Sequence, residues 1–94
     1  MPLNIEFKSY EEMVSFLYSE KSLLFLIAYR TIKKSIKSDD EIAVVANLLV
    51  NESVFTIQII REDWYTHLNT SLTYFEGLED YETCKNIKEL LDCL

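Results

Sequence analysis

Few side chains in this sequence could move a proton or attack a carbon. Glu62, Asp63 and His67 could share one helical turn, where a carboxylate and an imidazole can pass a proton. No nucleophile motif, Gly-rich phosphate loop or paired carboxylate signature accompanies them. His67 is the single histidine, and Cys84 and Cys93 lie too far from it in sequence to suggest a zinc spacing. On one helix the two cysteines would stand about 13 Å apart, beyond the reach of a disulfide. The chain therefore reads as a non-enzymatic protein with free thiols, no metal and no cofactor.

Binding chemistry is better represented. Arg30, Lys33, Lys34 and Lys37 follow the i, i+3, i+4, i+7 pattern and make one basic stripe, with Tyr29 beside it. Such a stripe can meet phosphates while the ring stacks on a base, although a solvated helix face near its C-terminus has the same composition. Glu76, Glu79, Asp80 and Glu82 form an acidic cluster where two helices should turn, suited to a basic groove on a protein. Acids are also favoured at a helix start by the macrodipole alone. Tyr65 and Tyr74 fall off the main apolar stripes, as interface tyrosines do, or as tyrosines that cover the edge of a small core.

Ninety-four residues make one domain, 1–94. Hydrophobic residues at 49%, with one Gly and one Pro, imply an ordered core with short connections. The net charge of −7 is uneven: residues 1–40 hold six Lys or Arg against six Asp or Glu, and residues 41–94 hold three against ten. Nucleic acid would be repelled by the second part and basic protein surfaces attracted to it. No secretory signal is expected at the start, and the longest apolar run, Leu23 to Tyr29, is too short for a bilayer. The expected compartment is cytoplasmic, away from membranes.

The elements that must position these residues are mostly helical in period. Leu3, Ile5 and Phe7 alternate with polar residues and suggest a short edge strand. Ser9 and Glu12 fit a capping box opening a helix to about Ser19. A second helix is predicted from about Glu20 to Ser38, its first half buried almost all round. Ser38 and Glu41 repeat the capping box, and Ile42, Val45, Ala46, Leu49 and Val50 predict a third helix. Residues 53–60 alternate and are rich in β-branched residues, yet Val54, Ile57, Ile60 and Trp64 also fit a helix. Trp64, Leu68, Leu72 and Phe75 then lead into a helical hairpin over 68–94, with Gly77 at the turn and Tyr81 to Leu94 as its second arm. The expected class is mainly α: four to five helices ending in that hairpin, with room for a minor two-stranded element pairing 3–7 with 54–60.

Residues 80–94 resemble the second half of the UVR motif, a helical hairpin of nucleotide-excision-repair proteins and bacterial stress regulators. Tyr81, Glu82, Lys88, Glu89, Leu91 and Leu94 answer to that pattern and Cys84 stands at its first small position, while Lys85 departs from the second. The resemblance implies protein docking. With the small size, acidic hairpin and spare tyrosines, it suggests a regulator or inhibitor that binds a larger protein with a basic surface. By type it is similar to phage or mobile-element inhibitors such as anti-CRISPR proteins. A nucleic-acid factor using the basic stripe, and a self-associating scaffold that forms a homodimer through its apolar hairpin face, are the alternatives.

Overall fold

The computed structural model describes residues 2–94. Its elements run β1 (Leu3–Phe7), α1 (Tyr10–Ser19), α2 (Lys21–Lys37), β2 (Ile42–Val50), β3 (Ser53–Ile60), α3 (Arg61–Gly77) and α4 (Tyr81–Leu91). The strands form one mixed sheet in the order β1-β2-β3, with β1 parallel and β3 antiparallel to β2. The fold is therefore α+β, which overturns the mainly α reading.

The error lies in residues 42–50, read as a helix and found as the central strand. A continuous apolar run does not distinguish a buried strand from a helix by period. Here a bulge between Val44 and Ala46 also shifts the phase, so that Ala43, Val45, Ala46, Leu48 and Val50 are all buried. The resulting spacing of 43, 46 and 50 imitates i, i+3, i+7. The proposed pairing of 3–7 with 54–60 fails for the same reason, because β2 lies between them. Leu3 to Phe7 run instead beside Ala46 to Val50. Ser53 to Ile60 follow from β2 across the two-residue turn of Asn51 and Glu52, where Asn51 takes a φ of 55°. On the open face of the sheet the strands are tied by Asn47 Nδ2 donating to Asn4 Oδ1 (3.1 Å) and Thr56 Oγ1 donating to Asn47 Oδ1 (2.9 Å).

Helix boundaries agree better with expectation. Ser9 caps α1 by accepting the Glu12 N–H at 3.2 Å. Ser38 caps nothing at an N-terminus and ends α2 instead. There Asp39 turns left-handed (φ 56°), and the Asp40 N–H donates to the Ser35 carbonyl at 2.9 Å. Arg61 Nη2 reaches Asp39 at 3.1 Å and the Asp40 carbonyl at 2.8 Å, fastening the start of α3 to the end of α2.

The hairpin over 68–94 is present, but Gly77 does not make its turn. No glycine has a positive φ; Glu79 does, at 58°, and the Asp80 N–H returns to the Phe75 carbonyl at 3.0 Å. Asp80 then caps α4, accepting from the Thr83 N–H (3.2 Å) and hydroxyl (2.7 Å). The apolar sides of α3 and α4 close on each other and on α2 through Ile32, Trp64, Leu68, Phe75, Cys84, Ile87 and Leu90. A second cluster, with Phe7, Met13, Ala28, Val45, Leu48 and Val50, sits between the sheet and α1 and α2.

Candidate functional site

Helix α2 packs on β2, and Tyr10 of α1 lies over Phe55 with ring centroids 5.4 Å apart, so the inner side of β3 is covered at its start and left partly open between α2 and α3. The gap between them is an apolar cleft of about 710 Å³. Leu24, Phe25 and Ala28 of α2 form one wall, Val45, Ile57 and Ile59 the floor, and His67, Thr70, Thr73 and Tyr74 of α3 the other wall. This explains why the first half of α2 is only half-buried, contrary to the expectation of burial all round. A concavity of this size and apolarity is typical of a ligand or anchor pocket. No sequence motif marks it, because its lining, which includes Leu17 of α1, comes from five separate elements.

His67 is the polar group inside the wall. Its ring lies 5.7 Å from that of Phe25, and its Nε2 is buried with no hydrogen-bond partner. Burial holds its pKa below the ordinary 6.5. The folded protein thus favours neutral imidazole, while the unfolded chain takes up a proton as the pH falls through 6.5. The stabilising contribution is complete above that value and lost below it, towards the lowered folded pKa. We expect urea denaturation between about pH 7.5 and pH 5 to show a smaller loss of stability for His67→Gln than for the native chain. Equal slopes would refute this reading of His67.

The suggested triad does not assemble, since neither Glu62 nor Asp63 bonds the His67 Nε2. Among the described residues no three metal-ligating side chains converge. Cys84 is buried in the core and Cys93 is exposed, both as free thiols. Burial pushes the Cys84 thiol up, and the Glu76 carboxylate adds to this.

The acidic residues separate by role. Glu76, Glu79 and Glu82 are exposed at the hairpin tip and pair with no cation among the described residues, whereas Asp80 is occupied as the α4 cap. Tyr74 is not a free surface ring: its hydroxyl shares a 2.7 Å hydrogen bond with Ser22, and its ring packs 4.9 Å from Phe25. Tyr65 is exposed but lies near the other end of α3, about 18 Å along the helix from the tip. The structure thus unites Glu76, Glu79 and Glu82, brings Tyr74 into the cleft wall and leaves Tyr65 apart.

Arg30, Lys33, Lys34 and Lys37 do share an exposed face, as predicted. With Tyr29, Asn86 and Glu89 they line a shallow depression of about 470 Å³ between α2 and α4. The Lys33 ammonium lies 6.0 Å over the Tyr29 ring, so the aromatic face already has a cation. Among the described residues no helix is long and apolar enough to cross a membrane. The chain matches no family model, no curated protein and no solved structure.

Proposed function

We propose that this chain is a small acidic, non-catalytic regulator that acts by binding a larger protein with a basic surface. A nucleic-acid-handling effector, inhibited in the manner of phage or mobile-element anti-defence proteins, is the partner class this reading favours. One observation carries it: the wall of the apolar cleft at Thr73 and Tyr74 lies about one helical turn from the free carboxylates of Glu76 and Glu79. A partner with an apolar anchor beside a cluster of Lys or Arg would fill the cleft and neutralise the tip together. Interfaces of that kind place their energy in the desolvated anchor and use the charged rim for steering. The UVR-like α4 contributes by presenting the tip. Its own apolar residues Cys84, Ile87 and Leu90 are spent in the core, which leaves little of the hairpin face for a homodimer.

The test is affinity capture from lysate of the source cell, with and without nuclease. A single near-stoichiometric protein should be recovered in both. Because Asp80 is a cap, the informative charge reversals are Glu79→Lys with Glu82→Lys. Thr73→Trp, at an exposed position on α3, occludes the cleft without entering the core. Either change should weaken binding at least tenfold, about 1.4 kcal/mol. Unchanged affinity for both variants would refute the docking surface. Recovery that depends on intact RNA or DNA would transfer the assignment to the basic stripe of α2.

A further inference from the structure

We propose that the segment which fills the apolar cleft, on the docking reading above, is a basic amphipathic helix laid lengthwise between α2 and α3. The cleft matches the apolar stripe of such a helix in length. Lys21, Leu24, Phe25 and Ala28 line it at i, i+3, i+4 and i+7 of α2, and the lining of α3 runs over the same interval, from His67 to Tyr74. Each wall is therefore about 10.5 Å long, two helical turns. The walls run in opposite directions, since Ser22 meets Tyr74 at the start of α2 and Asp39 meets Arg61 just past its end. A helix whose own anchors recur at i, i+3, i+4 and i+7 presents an apolar stripe of that length. Leu24 and Phe25 on the wall and Ile57 and Ile59 on the floor are only half-buried, so apolar surface is left for it to cover.

The polar groups of the lining favour a helix over an extended segment. A strand laid in the cleft would bring a row of backbone N–H and C=O groups that need partners. The lining offers few. The Thr70 hydroxyl is spent on the Thr66 carbonyl (3.1 Å), the Thr73 hydroxyl on the Asn69 carbonyl (3.2 Å), and the Tyr74 hydroxyl is shared with Ser22. The unpaired backbone groups of β3 lie in the plane of the sheet, along its edge, and not over the inner face that forms the floor. A helix satisfies its backbone internally and needs from the cleft only apolar contact.

Charge fixes the flanks of that helix. Asp63 lies one turn before His67 and Glu76 one turn after Thr73, so the α3 wall is bracketed by exposed carboxylates that pair with no cation among the described residues. The α2 wall has no acid in the cleft, and its one charge is Lys21. A helix with Lys or Arg one turn beyond each end of its apolar stripe, on the side turned to α3, meets both carboxylates and keeps clear of Lys21. The net charge of −7 draws the same partner from a distance.

Two synthetic peptides of one composition test this. In the first, Leu recurs at i, i+3, i+4 and i+7 with Lys one turn beyond each end; in the second, the same Leu residues alternate with polar ones at strand period. Fluorescence anisotropy with the full chain should show the helical pattern bound at least tenfold more tightly, and circular dichroism should show that peptide gaining helix as it binds. Equal charge on the two peptides removes general attraction to an acidic chain from the comparison. Thr73→Trp should weaken the helical peptide at least tenfold, and Asp63→Lys with Glu76→Lys, both at exposed positions, should weaken it and flatten its salt dependence. No binding, equal binding of the two patterns, or indifference to Thr73→Trp overturns the helix. If lysate capture still returns a protein held through Thr73 and the hairpin tip, the regulator reading survives that result. If the helical peptide binds and capture returns no protein, the groove stands and the regulator reading fails.

Discussion

Trp64→Ala is expected to destabilise the domain by about 3–5 kcal/mol, the range for removing a large buried aromatic. Trp64 stands in the first turn of α3 with 1% of its surface exposed. Its Nε1–H donates to the Ile59 carbonyl at 2.8 Å, and the Arg61 guanidinium lies 5.3 Å over its ring. One side chain thus joins the last strand, the start of α3 and the α2–α3–α4 core. Alanine would leave a cavity at that junction and strip Arg61 of its platform, although the ion pairs to Asp39 and Glu41 would remain. Those pairs are exposed and contribute little by themselves. Domains of this size are stable by about 5–15 kcal/mol, so a large share of the total would be lost. Urea denaturation followed by circular dichroism measures it directly. Trp64→Phe should fall between, keeping most of the apolar contact and losing the hydrogen bond. A loss below about 1 kcal/mol for alanine would show that the junction repacks.

The second large effect is expected at Ile87. Ile87→Ala should cost about 2–5 kcal/mol, while Tyr81→Ala on the same helix should change stability by no more than about 0.5 kcal/mol. Ile87 is fully buried among the α3 and α4 residues, and Tyr81 is 68% exposed in the first turn of α4. Both substitutions place alanine in a helix, so propensity does not separate them, and the contrast isolates packing. It bears on function as well. Helix α4 holds the hairpin tip, and a loosened α4 would present Glu79 and Glu82 in many orientations. Thermal unfolding of the pair checks the prediction. Equal shifts in Tm would mean that α4 is held by its Asp80 cap and local helix formation, with the core contact contributing little.

Local chemistry was the most legible part of this chain. Ser9 with Glu12 announced the start of α1, and the apolar periods of 20–38 and 64–75 located two long helices. The break before Tyr81 located the hairpin. Each of these signals depends on residues within about one helical turn of one another, which the backbone must satisfy whatever the rest of the molecule does. Gly77 misled, because a lone glycine near a turn invites the left-handed role that Glu79 fills. The basic stripe and the cluster of Glu76, Glu79 and Glu82 were also legible, since a helix face and a turn are both local objects. Asp80 is taken up by a cap whose bonds to Thr83, three residues on, are local, whereas the Tyr74 hydroxyl is held by Ser22 of α2, a contact that only packing creates.

By itself, then, the sequence determined the acidic balance of the chain, where its long helices lie, and which charged faces they carry. Tertiary structure alone decided that residues 42–50 are a strand. That segment is apolar apart from Asn47, so its conformation was settled by pairing with β1 and β3 from outside the segment. The bulge at Val45 then disguised its period. The cleft on which function is proposed here inherits that decision. It exists because α2 and α3 leave part of the inner side of β3 uncovered, and its floor exists because β2 has taken the middle of the sheet. Short-range preferences act through neighbouring residues; a cleft is defined by what the rest of the chain fails to cover.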